Sequence, residues 1–390
     1  MKRKLLALAV AGAFFAPVAA MADGSGIVLT GVVHGDIGFG QEKVDNSVNG
    51  PSGTEDTRGE VGKYKRQANI GTFATRWEID GTEDLGWSQA IFGLAVDQKF
   101  AGGNGGSSDV CQGGAVCNNN NVGDLNNRNS FLGLTGGWGT LKIGQNEHLY
   151  EIQQILQDPD PASENTYSTL SLMTSWGGSV VDENGVSRGG HKGFTRRDAQ
   201  SIWYASPNFA GATIEAAYIT PAGRKDGTLS PYGVQLGANW KSGFGLSLYG
   251  AYAQYNDDDN QKSKNKAFRL GAGFGSELFQ VDVFGEQLKY SADGGTNDKR
   301  TNIGFSGALN FGQHHIRAAL SLAGKLKSGG STVSDSSARL LLIGYAFTLS
   351  KRTELQVNYG RVDNKKNAAF NVGFQGNDSD RFGVGIRHTF

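Results

Sequence analysis

The last residues of the chain alternate with a period of two. Phe382, Val384, Ile386, His388 and Phe390 share one parity, while Arg381, Gly383, Gly385, Arg387 and Thr389 share the other. Such alternation describes an extended strand whose two faces meet different media. Soluble sandwich strands alternate too. A strand that finishes on a terminal aromatic, in a chain that opens with an export signal, predicts a wall strand of a membrane barrel.

The export signal is read from the first residues. Lys2, Arg3 and Lys4 form a basic region, Leu5 to Phe15 an apolar one, and Ala20-Met21-Ala22 a small-x-small cleavage site. Residues 1–22 are expected to be removed as a signal peptide, leaving 23–390 as one barrel domain. A retained membrane helix is the alternative, disfavoured by length and flanks. No later segment approaches the roughly 20 apolar residues a spanning helix needs, so any crossing must use strands.

Composition agrees with a barrel. Glycine supplies 59 of 390 residues, 38% are hydrophobic and 19% charged. Mean hydropathy is -0.37, which would pass for a soluble protein; a barrel with a polar lumen averages to such a value. Without the three basic residues of the signal, the 37 cationic residues become 34 against 37 acidic ones, a net charge of -3. No clustered basic surface points to nucleic acid. The only cysteines, Cys111 and Cys117, lie in one polar stretch, "CQGGAVC". In an exported protein they are expected to form a disulfide, with two free thiols as the alternative; no histidine lies close enough in sequence to suggest a metal site.

Sixteen alternating segments can be counted, near 27–40, 68–82, 88–100, 125–136, 138–146, 196–206, 212–220, 232–241, 244–256, 266–276, 277–290, 299–310, 313–323, 338–349, 353–361 and 380–390. Their connections are short and long in turn, the longest being 147–195. This rhythm predicts an all-β, 16-stranded antiparallel transmembrane barrel with short periplasmic turns and long extracellular loops. Tandem sandwiches would need a linker and a second core, and no composition break marks one.

Parity assigns faces. Leu29, Val33, Ile37 and Phe39 are expected to point out, and Thr30, His34 and Asp36 inward. Phe73, Trp77 and Ile79 oppose Arg76, Glu78 and Asp80; Phe268, Leu270 and Phe274 oppose Arg269; Ile316, Ala318, Leu320 and Leu322 oppose His315, Arg317 and Ser321. Charges recur on one parity, which a dry core would leave unpaired at several kcal/mol each. A wet lumen accounts for them. Trp77, Trp240 and Tyr345 are expected in interfacial girdles.

Several blocks resemble the Gram-negative general porins of the proteobacterial type: "TRWEIDGTEDLGWSQAIFGL", "NRNSFLGLTGGWGTLKIGQ", "YASPNFAGATIEAAY", "YAFTLSKRTEL" and the closing "GVGIRHTF". The resemblance covers essentially the whole mature chain. It implies an outer-membrane homotrimer embedded in lipid and lipopolysaccharide, in which each subunit passes small hydrophilic solutes and ions by diffusion, with no cofactor. Phe390 would be the assembly signal.

The resemblance further implies that the third long loop, 147–195, folds inward and narrows the pore. Its acids, Glu147, Glu151, Asp158, Asp160, Glu164, Asp182 and Glu183, outnumber Arg188 and Lys192, and Leu149, Ile152 and Leu156 have helical spacing. Glu151, Asp158, Asp160 and Glu164 are the candidates for the acidic side of the constriction. Arg76 and Arg128 match the family's basic wall, and Lys142 and Arg197 share their parity. Val32, Trp203 and Ala205 depart from the family at places often basic, which weakens that side and leaves ion preference open. Acids facing guanidinium groups across a narrow water column would set up a transverse field that orients dipolar solutes.

Other functions have thinner support. The six histidines lie in no nucleophile or metal motif, so the chain is not expected to be an enzyme; His388 is the one wall histidine with outward parity that a barrel lipase would use. Asp257, Asp258 and Asp259 lack the glycine and distal glutamate of a calcium loop. A plugged transporter would need an N-terminal globular domain. The main rival is a solute-selective pore, for sugars or anions, with Trp203, Tyr249 and Tyr255 as a stacking track.

Overall fold

The computed structural model describes residues 25–43, 67–71, 75–97, 110–111, 115–116, 128–147, 150, 168–169, 172–181, 187–194, 196–220, 229–257, 262–293, 295, 297–372 and 375–390. Among these, sixteen wall strands follow one another: β1 (Gly26–Lys43), β2 (Gln67–Gly71 and Arg76–Asp84), β3 (Gln89–Asp97), β4 (Ser130–Gly136), β5 (Gly139–Glu147), β6 (Arg197–Ala205), β7 (Ala212–Ile219), β8 (Tyr232–Lys241), β9 (Leu246–Asn256), β10 (Ser263–Gly275), β11 (Phe279–Ala292), β12 (Asp298–Phe311), β13 (His314–Ala323), β14 (Ala338–Thr348), β15 (Thr353–Asn364) and β16 (Asp378–Thr389).

Each strand pairs antiparallel with its sequence neighbour, and β16 returns to β1 over a register running from Val32↔Thr389 to Lys43↔Asp378. The ring is closed. Closure is what allows strands to cross lipid, since no edge is left with unpaired backbone groups. Gly31 and Phe390 seal the seam by exchanging backbone hydrogen bonds of 3.1 and 3.0 Å.

The strand count and most boundaries match the sequence reading to within a few residues. The second strand is the exception, for it comes in two stretches, both paired to β1. At the break, the Thr75 hydroxyl donates to the His34 carbonyl and accepts from the His34 amide, both at 2.9 Å. One side chain thus ties β1 to β2 just ahead of its second stretch.

Parity behaves as expected. Leu29 (58% exposed), Ile143 (57%) and Leu270 (56%) face out, whereas His34, Arg269 and Arg317 are buried inside. Trp138, Tyr204 and Trp240 gather at the rim of the short turns, with Trp138 stacked on Tyr204 at 6.4 Å. Trp77 departs from its assignment to a girdle: it lies in the middle of β2, because that strand extends back to Gln67. Phe73 lies outside the described residues.

The glycine content has a packing cause. A Cβ on Gly304 would sit 2.1 Å from the Phe284 ring, which lies across it from the neighbouring strand.

The inner face is covered in part by the segment between β5 and β6. Tyr150, Trp176 and Phe194 pack on Ile219, Ala253, Ala267 and Leu288 of β7 to β11. Leu172 packs on Ala319, Leu340, Leu342 and Val362 of β13 to β15. The described residues of the third loop therefore lie inside the barrel, held by the hydrophobic effect against apolar inward positions.

Candidate functional site

The basic wall is built where β5 and β6 begin to part. Gly144 has φ +136°, a conformation open to glycine, and the β5–β6 register shifts between Asp198 and Ser201. Such a bulge re-aims the side chains beyond it. Asn146 donates to the Ser201 hydroxyl at 3.2 Å, and Ser201 donates to the Gly144 carbonyl at 2.8 Å, which fixes the irregularity.

Beyond the bulge, Glu147 turns into a group of arginines. Its carboxylate is nearly fully buried and accepts from the Arg197 guanidinium, and Arg128 Nη1 lies 3.9 Å from the same oxygen. Arg76 acts on it electrostatically from β2. The Glu147 amide donates to Asn129 Oδ1 at 2.8 Å, and Gln145 donates to the Arg128 carbonyl at 2.7 Å. Three of the four cations expected on this wall thus act on one carboxylate.

Lys142 stands apart from them. It lies five residues from Glu147 along β5, or about 16 Å. Its ammonium sits 4.1 Å from the Phe131 ring centroid and 5.0 Å from that of Trp203, and it feels the charges of Glu215, Asp80 and Glu78. Trp203 in turn donates to Glu215 at 3.0 Å. The indole on β6 thus orients an acid beside the lysine. The consequence is a second, acid-rich zone nearer the short turns.

On the other wall, Arg269 and Glu286 hold the loop. Glu286 accepts from Arg269 at 2.7 Å, from the Tyr150 hydroxyl at 3.0 Å, from the Thr174 amide at 2.6 Å and from Asn302 at 2.8 Å. Arg269 also donates to the Tyr150 carbonyl at 2.9 Å. Burial, reinforced by the Glu286 charge, holds the Tyr150 phenol well above its ordinary pKa, so it stays a donor. A second tie joins His191 to Asp298 at 2.7 Å, with the imidazole stacked on Tyr290 at 3.5 Å. Glu286 and Asp298 carry the inward parity of their strands; their tie to the loop had no sequence signal, because it depends on where the loop crosses.

Glu151, Asp158, Asp160 and Glu164, with Leu149, Ile152 and Leu156, lie outside the described residues. So does Cys117; Cys111 belongs to a short strand, Val110–Cys111, paired with Ala115–Val116. Asp258 and Asp259 are likewise outside, while Asp257 accepts from the amides of Ser230 and Ser263, each at 3.1 Å. Tyr255 is no free stacking surface: its hydroxyl donates to Asp198 at 2.8 Å, and Arg196 and Phe194 cover its ring.

The comparisons with known proteins agree with this architecture. A family model described as Gram-negative porin matches residues 7–367. The major outer membrane protein P.IB of Neisseria gonorrhoeae is 26% identical over 413 residues, and that of Neisseria lactamica 25% over 401, each with 100% of both chains covered. Among solved structures, an anion-selective porin from Comamonas acidovorans superposes with a TM-score of 0.67 at 20% identity, covering 94% of this chain and 100% of that one. The trimer form of OmpT from Vibrio cholerae gives 0.60 at 12% identity, covering 94% and 100%. A closed sixteen-strand wall, an inward loop and a charged inner face together describe a water-filled passage, and this chain belongs to the Gram-negative porin family, forming an outer-membrane channel for passive diffusion of small hydrophilic solutes and ions.

Proposed function

We propose that solutes are sorted at a constriction between the Arg76, Arg128 and Arg197 group and the acids of the third loop, Glu151, Asp158, Asp160 and Glu164. The convergence of three guanidinium groups on the single carboxylate of Glu147 carries this reading. Arginine keeps its charge at any physiological pH, and low-dielectric walls focus the field of the guanidinium groups into the water column. Small anions are drawn to that side, and apolar solutes gain nothing for the water they would lose. Lys142, surrounded by acids, serves the passage below rather than the basic wall itself.

In the same reading the signal peptide, residues 1–22, is removed, residues 23–390 form the barrel with 147–195 as its constricting loop, and Cys111 and Cys117 are joined. Three copies assemble, with Phe390 as the assembly signal, among outer-membrane lipid and lipopolysaccharide. The trimeric architecture of solved porins supports the trimer. No catalytic reaction is assigned. Of the selective alternatives, an anion-preferring pore is favoured over a sugar channel, since Tyr255 is occupied by Arg196 and Asp198.

The test is the reversal potential of purified protein in a planar bilayer under a salt gradient. Wild type should show anion preference, and the Arg76→Ala, Arg128→Ala double variant should move toward cations. An unchanged potential in the double variant would remove these residues from the constriction.

A further inference from the structure

The stretch 174–178 of the third loop is held from three directions. Two holds come from wall strands: Glu286 of β11 accepts the Thr174 amide at 2.6 Å, and Asn265 of β10 accepts the Trp176 indole N–H at 3.3 Å. The third comes from the long connection between β15 and β16, residues 365–377. There the Ala369 carbonyl accepts the Gly178 amide at 2.8 Å, and the Phe370 ring lies against Gly177, where a Cβ would stand 3.0 Å from it. With φ at +73°, Gly177 is required both for its backbone and for the room it leaves.

The last connection is built to present that ring. Asn364, at the end of β15, donates to the carbonyls of Phe370 at 3.0 Å and Asn377 at 2.8 Å, and accepts from the Phe370 amide at 3.0 Å. One side chain thus ties the two arms of the connection together and holds the peptide that carries the ring. The Arg300 guanidinium of β12 stands 4.9 Å from the ring centroid. It also donates to the carbonyls of Gly324 at 3.0 Å and Ser336 at 2.9 Å, near the two ends of the connection between β13 and β14. Asn367 joins the two connections, its side chain donating to the Ser334 carbonyl at 3.0 Å and its amide to the Asp335 carbonyl at 2.8 Å. They form one packed unit around Phe370, which is 1% exposed.

The three holds differ in what carries them. Glu286 and Asn265 stand on strands paired along their whole length, so they move only if the wall opens. Phe370 stands on a connection, and connections open locally at a much lower free energy than a strand ladder. The last connection can therefore let go of the third loop while the barrel stays closed.

We infer that Phe370 is a positioning residue for the constriction: the connection 365–377 latches the third loop at Gly177 and Gly178, and unlatching widens and unsteadies the passage. Arg300 and Asn364 keep the latch in place. The inference rests on the reading of the third loop as the constriction, and adds the element at the mouth of the channel that sets its position.

The test is made on the full protein by single-channel recording in planar bilayers. Phe370→Ala removes a fully buried ring, so the unlatched state should gain about 10²-fold or more in population, seen as larger, fluctuating current. Phe370→Leu, which keeps apolar bulk, should fall between this and wild type. The cysteine pair Gly178→Cys with Ala369→Cys would have Cβ atoms 3.2 Å apart, close to disulfide spacing. Oxidised in the Phe370→Ala background, the pair should restore the steady wild-type current; reductant should bring the fluctuation back, and should leave wild type unchanged. Heat-dependent gel mobility should be that of wild type throughout. If Phe370→Ala does not assemble, the pair in the otherwise unaltered chain carries the test, with fewer current transitions expected when oxidised than when reduced. Wild-type current in Phe370→Ala, a pair that does not cross-link under oxidant, or a cross-link that leaves the transitions as they were would each overturn the latch. Should the Arg76→Ala, Arg128→Ala variant still shift the reversal potential in that event, the latch alone falls; should it not, the constriction reading falls with it.

Discussion

Arg269 and Glu286 stand opposite each other on β10 and β11, both side chains fully buried, with Nη2 2.7 Å from Oε2. Between them they bind the loop at two points, Tyr150 and Thr174. Thr174 has φ +65°, unusual for a β-branched residue, and the Glu286 carboxylate accepts its amide. The pair is the bolt that holds the loop against the wall.

Removing one member leaves the other buried and unpaired, a loss of about 3–5 kcal/mol. Glu286→Ala should therefore release the loop, seen in single-channel recordings as larger or more fluctuating current with the barrel intact. The Arg269→Met, Glu286→Leu double variant should be milder than the single. Recordings of Glu286→Ala indistinguishable from wild type would show that Glu286 is not needed to hold the loop.

At the basic wall the two signs of charge should act oppositely. Arg197→Gln removes a cation and Glu147→Gln a carboxylate bound to it, so the first should shift the reversal potential toward cation preference and the second toward anion preference. Both shifts should shrink at high salt, where the Debye length falls to about 3 Å at 1 M. Shifts of the same sign would contradict the arrangement.

Glycine is required where strands approach closely. A Cβ on Gly133 would lie 2.3 Å from the Leu141 carbonyl oxygen, whereas one on Gly35 would meet nothing within 4 Å. Gly133→Ala should cost about 1–3 kcal/mol and lower the temperature at which the barrel unfolds on a gel, while Gly35→Ala leaves it unchanged. Equal melting of the two would refute the packing argument.

The Tyr150 phenol gives the loop an alkaline limit. Its pKa is raised in the folded protein, so its contribution to stability is constant below the ordinary value of about 10 and is lost as pH climbs beyond it. Loop anchoring, read from the channel current, should weaken above about pH 10 in wild type. Tyr150→Phe should flatten that dependence; a profile unaltered by the substitution would place the titrating group elsewhere.

Local alternation sufficed for the barrel itself. Period-two patterning is a property of a few consecutive residues, and it made the strand count, the lumen parity of Arg76, Arg269 and Arg317 and the outward parity of Leu270 legible without coordinates. It fell silent on β14, where "LLLIGYAF" is apolar on both parities. There only the structure shows Leu340 and Leu342 facing in, because Leu172 of the loop covers them. It was equally silent on Lys142, whose parity suited the basic wall while its surroundings are acidic.

What the sequence determined by itself was which face of each strand is wet, since a residue's side of the sheet follows from its position alone. What only the tertiary structure decided was which charges meet: Glu147 with Arg197, 50 residues away, and Glu286 with Tyr150, 136 away. Those meetings depend on strand register, on the bulge at Gly144 and on the path of the loop, each set by closure of the whole ring rather than by any short stretch of chain.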